Sequence, residues 1–173
     1  QSPLRLLRLG TLEARKRPLD ALAIFEYMKD SGIDVELTYV GAQSSSDQSI
    51  NDRIQRASSK SVGVTWIDDA DDPEIYHQMK TADIFLSLGT EGFGIPVLES
   101  VRLGTPVVFE GSQPAAELMM DHGAFRLSSG EPKDMALEVC ELSRNMERNR
   151  DQLDPHAVPR WGDFARAVAD VCQ

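Results

Sequence analysis

The sequence predicts an α/β fold: a doubly wound parallel sheet of six strands with helices on both faces. Three observations predict it. Short β-rich runs alternate with helical patterns along almost the whole chain, the arrangement of a parallel sheet wrapped by its crossovers. The 173 residues are 41% hydrophobic and 27% charged, the size and mix of one globular unit with a substantial core. Internal repeats and low-complexity tracts are absent from the sequence, so disorder, collagen and coiled coil are excluded.

The strands are expected near 4–9, 35–40, 62–67, 83–88, 106–109 and 124–127. After the first, Pro18 suits a first helical position, and Leu19, Leu22, Ala23 and Phe25 give an amphipathic helix to Met28 that Gly32 ends. A second helix, about 47–58, follows the small polar loop after Gly41. Asp72 and Pro73 stand where an N-cap and first residue belong, opening a third helix to about Lys80. Later helices are expected near 96–103, 115–120, 132–149 and 161–171, the last after a linker at 151–159 with two prolines. That final helix is the one expected to pack on something outside residues 1–173. A sheet of this kind binds ligands in a crevice at the carboxyl ends of its strands.

Charge narrows the partners. Eighteen basic against 28 acidic residues leave a formal net charge of −10, which argues against coating the phosphates of nucleic acid. The balance is uneven, because Arg5, Arg8, Arg15, Lys16 and Arg17 face only Glu13 within the first 17 residues. One basic spot in an acidic chain suits a single anionic ligand. No apolar run approaches the roughly 20 residues of a membrane span, and no signal peptide is recognisable. Cys140 and Cys172 form no C-x-x-C pair, so neither a disulfide framework nor a zinc site is supported, and buried thiols in a reducing, cytoplasmic compartment are expected. The chain opens without Met, directly into a strand, as though cut from something longer.

The chemistry concentrates in residues 87–106, S-L-G-T-E-G-F-G-I-P-V-L-E-S-V-R-L-G-T-P. Gly92 and Gly94 flank Phe93 and let the backbone approach a ligand, and Pro96 starts a helix whose free N–H groups and positive dipole end suit phosphate or sugar oxygens. Glu91 falls in the loop before that helix and Glu99 in its expected first turn, so both carboxylates can border one crevice. A carboxylate accepts hydrogen bonds from a vicinal diol such as a ribose.

With its E-x7-E pattern from Glu91 to Glu99, the intervening G-F-G-I-P-V-L and the following L-G-T-P-V-V, this segment resembles the retaining glycosyltransferases of family 4 and their relatives with the two-domain GT-B fold. L-G-T-L-E-A-R-K, Y-V-G at 39–41, T-A-D-I-F at 81–85 and Trp161 are similar to further family elements, so the likeness covers nearly the whole chain. It implies that residues 1–173 are the Rossmann-like, donor-binding C-terminal half of such an enzyme, with the acceptor domain elsewhere. A UDP- or GDP-linked sugar is the implied donor, a growing glycan or lipid-linked acceptor the implied second substrate, and no metal or cofactor is implied. A peripheral association of the full-length protein with membrane would be compatible with this. Lys16, assisted by Arg15, would neutralise the diphosphate. Glu99 would hold the ribose hydroxyls, Glu91 would face the transferred sugar, and the backbone N–H groups of Phe93, Gly94 and Ile95 would contact sugar or phosphate. Trp66 and Ile67 would lie near the base. Many relatives carry an arginine after the glycine of the first strand, where this chain has Thr11.

Simpler readings stand beside these. The acids Asp68, Asp69, Asp71, Asp72 and Glu74 are best explained by helix capping and a solvated loop. His77, His122 and His156 share no ligand spacing. Arg17 reads as a solvated surface residue, Glu117 as a first-turn helix acid, and Met119 and Met120 as core or interface filling. A regulatory nucleotide-sugar-binding domain without turnover and a sugar-nucleotide epimerase half are the alternatives. A dinucleotide oxidoreductase is disfavoured because G-T-L-E-A-R-K lacks the G-x-G-x-x-G loop.

Overall fold

A computed structural model describes residues 2–146 and 151–158. The six strands are β1 (Leu4–Leu9), β2 (Val35–Val40), β3 (Val64–Ile67), β4 (Ile84–Leu88), β5 (Val107–Glu110) and β6 (Ala124–Arg126). They form one sheet in the order β3-β2-β1-β4-β5-β6, and every neighbouring pair is parallel. The helices between them are α1 (Pro18–Asp30), α2 (Gln48–Lys60), α3 (Asp72–Thr81), α4 (Ile95–Arg102) and α5 (Pro114–Leu118), with α6 (Pro132–Arg144) after β6. The predicted doubly wound α/β class is therefore the observed one.

Both faces of the sheet are buried, and alternate residues of a strand serve opposite layers. Leu6 packs with Leu22, Phe25, Ile54 and Met135 beneath α1, α2 and α6. Its neighbour Leu7 packs with Met79, Val97, Val101 and Phe109 beneath α3, α4 and α5. All five residues of β4 are buried. Among the described residues, no helix is long and apolar enough to cross a membrane.

Several boundaries move for identifiable reasons. The buried stripe of α1 is Ala21, Leu22, Ile24, Phe25 and Met28, while Leu19 faces solvent. The N-cap of α3 is Asp71, one residue earlier than expected, because its carboxylate accepts the Glu74 N–H at 2.9 Å. The sheet does not claim Val62, which stands 89% exposed. Pro106 has no N–H to donate and gives the ladder only its carbonyl, which accepts from Phe85 at 2.9 Å, so β5 begins at Val107. Helix α6 ends at Arg144, where the Asn145 N–H turns back to the Leu142 carbonyl at 3.1 Å. The expected linker is packed where it is described: Val158 joins the α3-α4-α5 core, and the Asp154 N–H donates to His122 O at 3.3 Å. The expected helix at 161–171, Trp161 and Cys172 lie outside the described residues. Cys140 is buried in the core, and burial pushes its thiol pKa up.

At the carboxyl ends of the strands, loops lie backbone against backbone. Gly89, directly after β4, has φ +82, and a side chain there would run into the Arg15 carbonyl oxygen. Gly89→Ala therefore combines a left-handed conformation with a backbone collision. It should destabilise the fold by about 2–3 kcal/mol, read as a lower urea midpoint at unchanged slope.

Candidate active site

The cleft begins where β1 ends. Residues Ala14–Lys16 form one turn of 3-10 helix, followed by Arg17 in the left-handed conformation at φ 48, ψ 49. Rather than a solvated surface residue, Arg17 is a clamp: its guanidinium meets the Asp20 and Glu110 carboxylates and the Gly130 carbonyl. That anchorage holds the turn so that Lys16 points back toward Gly10. A methyl group built on Gly10 would lie 3.0 Å from Lys16 Nζ. Lys16 is paired with Glu91, Nζ to Oε1 at 2.7 Å. Arg15 donates from its Nη1 to the Thr90 carbonyl at 2.9 Å and from its Nε to Glu13 at 2.6 Å, and lies 4.0 Å from Glu91. The structure thus brings Lys16 and Arg15 together with Glu91, 75 residues further along the chain from Lys16.

The loop carrying Glu91 is pinned on two sides. Thr90 N–H donates to Arg15 O at 2.9 Å, Glu91 N–H to Ser112 O at 3.1 Å, and Ala115 N–H to Phe93 O at 2.9 Å. Beneath it, Gln113 is fully buried, donating its Nε2 hydrogen to Gly89 O at 2.9 Å and accepting from the Ser87 hydroxyl at 3.1 Å. Gln113 is a buried support of this loop that sequence reasoning missed; its position just before Pro114 gave no sign of burial. Gly94, at φ 94, is the N-cap of α4, which starts at Ile95 with Pro96 second. Pro96 has no N–H and the Val97 N–H donates to the Gly94 carbonyl at 3.0 Å, which leaves the N–H groups of Gly94 and Ile95 at the start of α4 without an acceptor inside the helix. Phe93 and Ile95 are each 43% exposed.

Glu99 is the fifth residue of α4 and so lies in its second turn rather than its first. It is not a helix-end charge; its carboxylate stands in the wall of a cleft of about 520 Å³ that is also lined by Gly10, Thr11, Gly41 and Tyr76. Partial burial raises its pKa, a hydrogen bond from Tyr76 opposes that, and the Asp72 charge adds to it. Gly10 is the common neighbour, bordering Glu99 across the cleft and Lys16, with its Glu91 partner, beside it. Trp66 and Ile67 sit one step back. The Trp66 indole donates to Gly41 O at 3.0 Å and braces the cleft floor, while the wall after β3 is made by Asp68, Asp69 and Ala70. Asp71 is a helix cap, as the simpler reading of the acid cluster holds, and Glu117 pairs with Arg126 at 2.8 Å.

A six-stranded doubly wound sheet with a Lys16–Glu91 ion pair, Glu99 and a helix start around its switch-point crevice fits a Rossmann-like half of a GT-B protein. The chain belongs to the glycosyl transferases group 1 family, whose model matches residues 2–155. It is 30% identical over 146 residues to the serotype-specific mannosyltransferase WbdA of Escherichia coli, covering 83% of this chain and 18% of that protein. The chain therefore spans about a fifth of this relative's length. Among solved structures it is similar to Anabaena Alr3699/HepE in complex with UDP and glucose, with a TM-score of 0.74 at 14% identity over 99% of this chain and 49% of that one. The N-terminal domain of Candida albicans trehalose-6-phosphate phosphatase matches with a TM-score of 0.80 at 14% identity, over 99% of this chain and 42% of that one.

The raised pKa of Glu99 has a definite sign. A carboxyl whose folded pKa lies above its unfolded value opposes folding as pH rises from the unfolded toward the folded pKa, and the penalty persists at neutral pH. Glu99→Gln keeps an acceptor for Tyr76 and removes the charge. It should raise the melting temperature modestly at pH 7, with the gain vanishing below the ordinary Glu pKa; thermal scans across pH 3.5 to 7 check this.

Proposed function

We propose that this chain is the donor-binding half of a retaining glycosyltransferase that moves a hexosyl group from a nucleoside-diphosphate sugar to a glycan or similar acceptor. The observation that carries the reading is the 2.7 Å Lys16–Glu91 pair set beside Gly10, across the cleft from Glu99. Lys16, with Arg15 assisting, faces the diphosphate. Glu99 takes the ribose diol, Glu91 the transferred sugar near its anomeric carbon, and the cleft wall after β3 the base. Likeness to a mannosyltransferase makes mannose the leading candidate sugar, and the neighbour in complex with UDP and glucose supports a nucleotide-sugar ligand.

The chemistry follows from charge. Breaking the glycosidic bond to the diphosphate leaves negative charge on the departing oxygen, and a fixed ammonium plus the N–H groups of Gly94 and Ile95 at the positive end of α4 stabilise it without further reorganisation. An ammonium carries three donors, so Lys16 can keep Glu91 while meeting a phosphate oxygen. Glu91, held by the ion pair and by its backbone bond to Ser112, is then fixed relative to the sugar. No metal is required by this arrangement. The acceptor is supplied through the other half of the GT-B pair, which makes the isolated chain a binder without turnover.

A thermal-shift panel of UDP- and GDP-sugars tests the reading. A donor at 100 times its dissociation constant stabilises by about 2.7 kcal/mol. Lys16→Ala should weaken that donor about 10- to 100-fold by calorimetry, the worth of one charged hydrogen bond. Unchanged affinity, or efficient transfer by the 173 residues alone, would show the site to be elsewhere. Donor binding that leaves the whole protein without transfer activity would instead identify a sensing domain.

A further inference from the structure

Arg8, on β1, is used by none of this. Its side chain is 2% exposed, yet among the described residues no carboxylate lies within ion-pair distance of it. Its guanidinium instead donates to three backbone carbonyls of one loop: Gly10, Thr11 at 3.2 Å and Lys16 at 3.4 Å. These acceptors bracket both ends of the segment that carries Lys16. A methyl group built on Gly10 would lie 3.7 Å from Arg8 Nη1 and 3.0 Å from Lys16 Nζ, so both cations converge on the same point of the cleft rim. Burial holds the Arg8 pKa down to about 10, which still leaves it charged at neutral pH.

The hydrogen-bond partners of Arg8 are all neutral, and Glu91 and Glu13 act on its charge only from beyond ion-pair distance, so an anion brought to the adjacent rim adds to what they supply. Resting on the donor-site reading above, we infer that Arg8 is a positioning residue for the diphosphate: it ties the Gly10–Lys16 loop into one shape and presents a second positive charge behind Gly10. It thereby supplies from beneath the loop what an arginine at the Thr11 position would supply from above. The planar fork matters as much as the charge, since a lysine cannot span three carbonyls in this geometry.

The test compares Arg8→Met and Arg8→Lys with the unaltered chain, using UDP and GDP as probes in calorimetry, with circular dichroism to establish folding. Arg8→Met should bind the preferred diphosphate at least 10-fold more weakly. Arg8→Lys should fall between the two, and adding Thr11→Arg to Arg8→Met should recover a substantial part of the loss, a rescue that a merely structural role would not give. If Arg8→Met does not fold, Arg8→Lys and its Thr11→Arg double variant decide the question in the same way. Folded Arg8 variants with unchanged affinity, or no recovery by Thr11→Arg, would overturn the inference. Lys16→Ala separates the two levels: if it weakens binding and the Arg8 variants do not, only the role of Arg8 fails; if it too has no effect, the donor site itself is misassigned.

Discussion

The cleft exists because β1 and β4 part company early. β1 pairs with β2 along its full length, from Leu4↔Val35 to Leu9↔Val40, but with β4 only at Leu6↔Ile84 and Leu7↔Phe85. Beyond Leu7 the chain on one side runs toward α1 and on the other toward α4, at the point where strand order reverses. The groups discussed above depend on this split. Backbone that would otherwise be satisfied by a neighbouring strand is instead satisfied across loops, by Arg15, Ser112 and the buried Gln113, and the loops become rigid enough to aim side chains.

Charge is then distributed against the grain of the molecule. A chain of net charge −10 gathers Arg8, Arg15, Lys16 and Arg17 in and just after β1, where Arg15 is matched by Glu13, Lys16 by Glu91 and Arg17 by Asp20 and Glu110. Across the cleft stand Glu99, Asp68 and Asp69. A ligand with an anionic middle and a hydroxyl-rich, hydrogen-bond-donating end matches that polarity, whereas a uniformly anionic polymer would meet the acidic wall.

The layered architecture was legible in the sequence because its signal is periodic and local. Strand runs and Pro-led helix starts alternate along the chain, and some boundaries moved where a single atom decided the matter, as with Asp71 at the cap of α3 or the missing N–H of Pro106, while others, such as exposed Val62 and the end of α6, depended on packing. Glu91, Glu99 and Lys16 stood out as candidates from spacing and resemblance. Arg8 and Gln113 did not, because their roles come from burial among carbonyls of distant loops, and a basic residue in a strand or a glutamine before proline carries no local mark of that. Arg17 was misread for the same reason: its partners Glu110 and Gly130 are more than 90 residues away.

Arg17 also occupies a conformation that glycine adopts at far less cost, about 1 kcal/mol or more being the usual penalty for a side chain there. The chain accepts that penalty and gains an electrostatic tether between the turn that carries Lys16, β5 and the segment ahead of α6. A tether made of ion pairs is loosened by dissolved salt, whereas a glycine turn would be indifferent to it. Ionic strength therefore reaches the scaffold that aims Lys16, less strongly than it would at fully exposed pairs, so buffer composition becomes a variable of the cleft's geometry as well as of its charge.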